Sequence, residues 1–179
     1  AMGTVAQNAA DISSSNIEEL TTNALILRDT FGYDVSETMR AVNMLMDQFG
    51  LSGKEAFNLV AQGAQYGLDK NGDLLDSINE YSVHFKQLGF DADEMFNSLV
   101  NGAYSGTFSV DKLGDAVKEF GIRVKDNSDG TKGAFKTLGL NATDLTKKFN
   151  EGGEEGKKAF QQVTTALFEM KDKVKQNEV

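Results

Sequence analysis

Between Ser52 and Gly89 the apolar residues fall into two stripes. Phe57, Val60, Ala61 and Ala64 are spaced for one face of a helix with about 3.6 residues per turn, and Leu74, Ile78, Tyr81, Phe85 and Leu88 alternate steps of four and three. Gly67 supplies the left-handed conformation that closes the first helix, and Gly89 ends the second. The pattern recurs 39 residues later, with Phe96, Leu99, Val100 and Ala103 before Gly106, then Leu113, Val117 and Phe120. Ser52-Gly53-Lys54-Glu55 and Asp91-Ala92-Asp93-Glu94 each place a cap acceptor three residues before a glutamate, so helices are expected to start there.

The recurrence is an internal repeat. Phe49-Gly50 aligns with Leu88-Gly89, Ala56-Phe57-Asn58 with Met95-Phe96-Asn97, Gly63-Ala64 with Gly102-Ala103, and Asp76 with Asp115. A weaker third copy starts at Leu138-Gly139, where Ala142, Leu145, Phe149, Gly152 and Gly156 fall beneath Ala92, Met95, Leu99, Gly102 and Gly106. Phe31-Gly32 and Met39 anticipate the first copy. A last helix is expected to carry Phe160, Val163, Leu167, Met170 and Val174, a stripe open to core packing or to an oligomer seam. Strand signals are weak, the best being Ile122 and Val124. The expected fold is all-α, an array of short amphipathic helices in helical-hairpin repeats of about 39 residues. Its expected organisation is a poorly defined leader with a cloning remnant over 1–15, one all-helical repeat domain over 16–174 with a loop insertion near 121–132, and a frayed end at 175–179.

Composition narrows the partners. A net charge of -9 leaves no basic excess to neutralise phosphates, so nucleic-acid binding is not expected. No apolar run approaches the roughly 18 residues of a membrane span. Cys and Pro are both absent from the chain, so neither disulfides nor thiolate metal sites are available, and helices must break at Gly, Asn, Asp and Ser.

Candidate chemistry is sparse, and the expectation is of no catalytic, cofactor or metal residues and no small-molecule substrate. His84, the single histidine, sits beside Phe85 on a helix that already carries a core stripe. Asp69, Asn71, Asp73 and Glu80 fall at the first, third, fifth and twelfth places of a calcium-binding helical loop, but the sixth place is Leu74 where the turn needs glycine. Asp76 and Asp115 read as solvated helix positions. Gly63, Gly67, Gly102 and Gly106 follow no strand and precede no Lys-Ser or Lys-Thr, so close helix contact and capping explain them better than a phosphate cradle.

The run from Phe49 to Gly63, with Asp76-Ser77-Ile78-Asn79-Glu80-Tyr81-Ser82, Phe85 to Phe90 and Asp115 to Asp126, resembles the tail tape measure proteins, or phage-related minor tail proteins, of long-tailed bacteriophages and prophages. The likeness extends from about Thr22 to Leu167 and so covers most of the chain; the resemblance implies that the chain is a fragment of a longer tape measure polypeptide. It implies a structural segment, not an enzyme, that scaffolds tail tube assembly, sets tail length and has a part in genome ejection. It also implies partners among tail tube and tail assembly proteins, self-association of the full-length protein, residence in the virion tail lumen after assembly, and residence in the bacterial host cytoplasm during it. Family members with peptidoglycan-cleaving or membrane-inserting segments carry them elsewhere, and neither is expected here. The alternative is a generic helical-repeat protein interaction module. Far-ultraviolet circular dichroism is expected to show helix above about 60%, and a strand-dominated spectrum would sink the fold expectation.

Overall fold

Four short stretches punctuate the chain in the same way. Phe31-Gly32-Tyr33-Asp34, Phe49-Gly50-Leu51-Ser52, Leu88-Gly89-Phe90-Asp91 and Leu138-Gly139-Leu140-Asn141 each run from an apolar residue through a glycine and a second apolar residue to a side-chain cap. The glycines have φ of 79, 71, 90 and 73°, the left-handed region where a side chain is strained. In this computed structural model, which describes Gly3, residues 14–106 and residues 109–179, each of these stretches is a joint between helices.

The described helices are α1 (Ser14–Phe31), α2 (Val35–Phe49), α3 (Gly53–Gln65), α4 (Leu74–Gln87), α5 (Ala92–Tyr104), α6 (Val110–Arg123), α7 (Asp129–Thr137), α8 (Ala142–Glu151), α9 (Gly153–Glu169) and α10 (Lys173–Glu178). The architecture is all-α, as the periodicity predicts. Most of the leader expected at 1–15 lies outside the described residues. Caps form at each joint: the Asp34 carboxylate accepts from the amides of Ser36 and Glu37, and the Asn141 side chain accepts from Asp144. Ser52 with Glu55 and Asp91 with Glu94 form the two expected capping boxes. On the other side of the joint, Phe90 N donates to Phe85 O and Leu140 N to Phe135 O, the wide loop that ends a helix at a left-handed glycine. Because the repeat carries its caps with it, α3 and α5 are both 13 residues long with matching bounds.

Two compact units result, Ala1–Val83 with Asp91–Asp115 and His84–Phe90 with Ala116–Val179. In the first, α1 packs on α2 and α3, α2 on α3, and α3 on α5. Its core holds Leu20, Met39, Val42, Leu45, Phe57, Val60, Leu74, Ile78, Met95 and Leu99. In the second, α8 packs against α7 and α9. Its core joins Leu88, Val124, Phe135, Leu145, Phe149, Ala159 and Val163. Aromatic rings organise this core edge to face: Phe90 meets Phe160 at 5.1 Å between centroids, Phe120 meets Phe160 at 5.3 Å and Phe149 at 5.6 Å.

The weak strand signal at Ile122 and Val124 gives no strand, in keeping with the all-α expectation: Ile122 lies in α6, and Val124, whose amide donates to Phe120 O, lies in the turn that follows. Asn127 at φ 56° and the Asp126 carboxylate accepting from Ser128 N complete that turn before α7. In the third copy Gly152 and Gly156 do not repeat the roles of Gly102 and Gly106. Gly152 at φ 66° ends α8, α9 begins at once, and Gly156 lies buried in its first turns. Finally, the stripe expected to run to Val174 is interrupted, because α9 stops at Glu169, Met170 is extended, and Asp172 caps the separate α10. Phe168 and Val174 are left exposed.

Close approach between helices depends on α6 as well as on the joints. A methyl group at Gly114 would overlap the ring of Tyr81 from α4, and the Tyr81 hydroxyl donates to Asp111 Oδ1 at 2.9 Å one turn earlier on α6. Gly114→Ala is expected to lose stability in urea unfolding, because an overpacking cost of about 1–3 kcal/mol outweighs a helix-propensity gain of about 1 kcal/mol. Gly133→Ala in α7, where nothing lies within 4 Å of the added carbon, is expected to gain up to about 1 kcal/mol. Equal effects at the two positions would show that the contact with Tyr81 does not constrain the helices.

Candidate functional site

The glycines at 63, 67, 102 and 106 divide between two structural tasks. Gly67 and Gly106, at φ 77 and 93°, turn the chain after α3 and α5. Gly63 and Gly102 lie inside those helices, where the next helix approaches. A methyl group at Gly63 would stand 3.2 Å from Leu74 and 3.0 Å from Phe96, and one at Gly102 would overlap Leu113. Gly63 with Leu74 and Gly102 with Leu113 are therefore the same contact in successive copies of the repeat, one glycine face receiving one leucine.

The polar groups of the first unit gather where α4 begins. Asp69 Oδ1 accepts from Leu74 N at 3.0 Å, so the carboxylate that would open a calcium loop is an N-terminal acceptor for α4. Asp73 Oδ2 accepts from Asp111 N at 3.5 Å, and Asp111 in turn accepts from the buried Tyr81. The Asp73 Oδ1, Ser77 Oγ and Tyr33 Oη atoms are buried without a hydrogen bond of good geometry. Burial, followed by the neighbouring Asp69 carboxylate, pushes the Tyr33 phenol above its ordinary value. Burial, followed by the hydrogen bond to Asp111, does the same for Tyr81. Both phenols stay protonated through the physiological range, which suits Tyr81 to donating and neither to acting as a base.

The remaining candidates lie on helices. His84 is half-buried on α4, Asp76 is exposed, and Asp115 is half-buried on α6. Among the described residues no group of three or more His, Asp or Glu side chains could hold a metal ion, and no helix is long and apolar enough to cross a membrane. A shallow depression on α9, lined by Lys158, Gln161, Gln162, Thr165, Ala166 and Glu169, belongs to one helix face and converges on nothing. Asp111 and the cap Asp34 were not singled out from the sequence. Asp34 could have been found from the fourfold pattern of glycine, apolar residue and cap.

What this assembly offers is a reiterated array of helices with no convergent site among the described residues. A probable tape measure protein of Streptomyces phage phiC31 is 43% identical over 164 residues, which cover 91% of this chain and 22% of that protein. The uncharacterised protein YqbO of Bacillus subtilis strain 168 is 46% identical over 165 residues, 91% of this chain and 10% of its own length. The chain thus spans less than a quarter of either relative. No solved structure matches it. The family model for phage-related minor tail proteins matches residues 1–179, and with its helical-hairpin repeats the chain belongs to that family as a structural segment.

Proposed function

We propose that this segment helps to scaffold tail tube assembly and contributes to setting tail length, with a part in genome ejection. The observation that carries this reading is the repeat itself. A unit bounded by its own caps and glycines can be added or removed with the helix bounds of its neighbours kept, which suits a protein whose length is the property under selection. The name of the phiC31 relative, a probable tape measure protein, supports the same reading. On it, the partners are tail tube and tail assembly proteins together with other copies of the full-length protein. The segment would reside in the tail lumen of the virion after assembly and in the host cytoplasm during it.

The joints make a direct test available. Deleting Phe49 to Gln87 from the full-length protein fuses Gln48 to Leu88-Gly89-Phe90-Asp91, so α2 runs into an intact joint followed by α5. An uninterrupted helix of that length spans about 58 Å. Electron micrographs should show tails shortened by nearly that amount if the hairpin opens in the tail, and by appreciably less if it stays folded. Unchanged tail length with normal infectivity would reject a measuring role. His84→Gln, in contrast, is expected to leave infectivity near normal in a folded protein, and loss of infectivity with folding intact would assign the histidine a role.

A further inference from the structure

The dipeptide Asn-Gly occurs twice in the chain, at Asn71-Gly72 and Asn101-Gly102. Both asparagines are exposed, so accessibility does not separate them. Backbone setting does. Asn101 and Gly102 lie within α5, where the helical conformation holds the Gly102 nitrogen away from the preceding side chain. The space beside Gly102 is also filled by Leu113. Asn71 and Gly72 lie in the connection between α3 and α4. Gly72 has φ 73°, nothing stands within 4 Å of the position its Cβ would take, and its amide is held by one turn bond to Asp69 O at 3.1 Å.

We infer that Asn71 is a site of spontaneous deamidation and backbone isomerisation, and that the fold protects Asn101. The Gly72 nitrogen gives its proton to solvent and attacks Asn71 Cγ. The N–Cγ bond forms, the Cγ–Nδ2 bond breaks, and ammonia leaves a five-membered succinimide. Water then opens the ring at one of its two carbonyls, giving aspartate or isoaspartate. Water is the only co-reactant, and no atom changes oxidation state. Glycine favours the step because it places no side chain against the forming ring, and a local opening of the turn frees the Gly72 amide.

The position gives the reaction a structural consequence. Either product adds a negative charge between Asp69 and Asp73. Isoaspartate also lengthens the main chain by one carbon between the residues whose carboxylates accept from Leu74 N and Asp111 N. Ageing therefore acts on the connection that brings α4 back along its hairpin.

Trypsin separates the two sites, because cleavage after Lys70, Lys86 and Lys112 puts Asn71 and Asn101 on different peptides. The native protein would be incubated at mildly alkaline pH and digested at intervals, and each peptide followed by mass spectrometry with fragmentation to locate the change. Conversion at Asn71 is expected to be at least about tenfold faster than at Asn101. In urea, where both dipeptides are unfolded, the rates should converge. Similar rates in the native protein, or a faster reaction at Asn101, would overturn the proposal. So would a difference that persists undiminished in urea, since flanking sequence and not the fold would then set it.

Discussion

A helix that must stop and hand the chain to another within three or four residues faces two problems at once: its last carbonyls lack partners, and so do the first amides of its successor. The joints at Gly32, Gly50, Gly89 and Gly139 solve both in four residues. The left-handed glycine folds its own amide back onto the preceding helix, and the cap two positions later supplies an oxygen to the next. Only glycine takes that φ without strain, and a side-chain cap is worth about 1 kcal/mol. The apolar residue between them turns inward: Tyr33 is buried, and Phe90 packs its ring edge against Phe85 at 5.4 Å. With no proline available, this glycine-to-cap spacing fixes where helices end and therefore which faces can meet.

Once the bounds are set, small residues decide how closely helices approach. Gly63 and Gly102 each receive the leucine that begins the returning stripe, and Gly114 receives the Tyr81 ring. The second unit uses a different solution. Its repeat copy lacks the loop between paired helices, so α8 passes into α9 through Gly152 and Gly153, at φ 66 and 53°. Large rings fill the core there: Phe149 is fully buried among Phe120, Phe135 and its helical neighbours, and Phe160 takes the edges of both Phe90 and Phe120. The same joint thus serves a glycine-lined crossing in one unit and an aromatic core in the other.

The parts of this fold that were legible in the sequence are those governed by local chemistry. Ser52 with Glu55 and Asp91 with Glu94 announced helix starts because both partners of a capping box lie within four residues. Gly67 and Gly106 announced ends for a comparable reason. The glycines at 63 and 102 were legible through the repeat, and the atoms they make room for came only with the fold. What escaped is non-local or competitive. The link from Tyr81 to Asp111 joins residues 30 apart, and no spacing rule marks it. The stripe through Met170 and Val174 continued the helical period, but Asp172 offered α10 its own cap and the chain took that break.

Local and non-local contributions also separate by what an opening hairpin would lose. Every joint is stabilised by bonds between residues at most five apart in sequence, so swinging one helix off another leaves the joints and caps intact. What opening would lose is apolar cover. Leu74, Ile78 and Tyr81 are each nearly inaccessible in the first unit, and exposing one such side chain costs about 1.5–3 kcal/mol. Another apolar surface can make up that loss, since burial is non-directional and does not depend on which chain provides the cover. Tyr81 adds a direction to it, because its hydroxyl reaches Asp111 only when α4 lies against the glycine face of α6. The helices are therefore specified locally, and in the first unit the contacts of Tyr81 and Asp73 with Asp111 add direction to the apolar cover that folds them back.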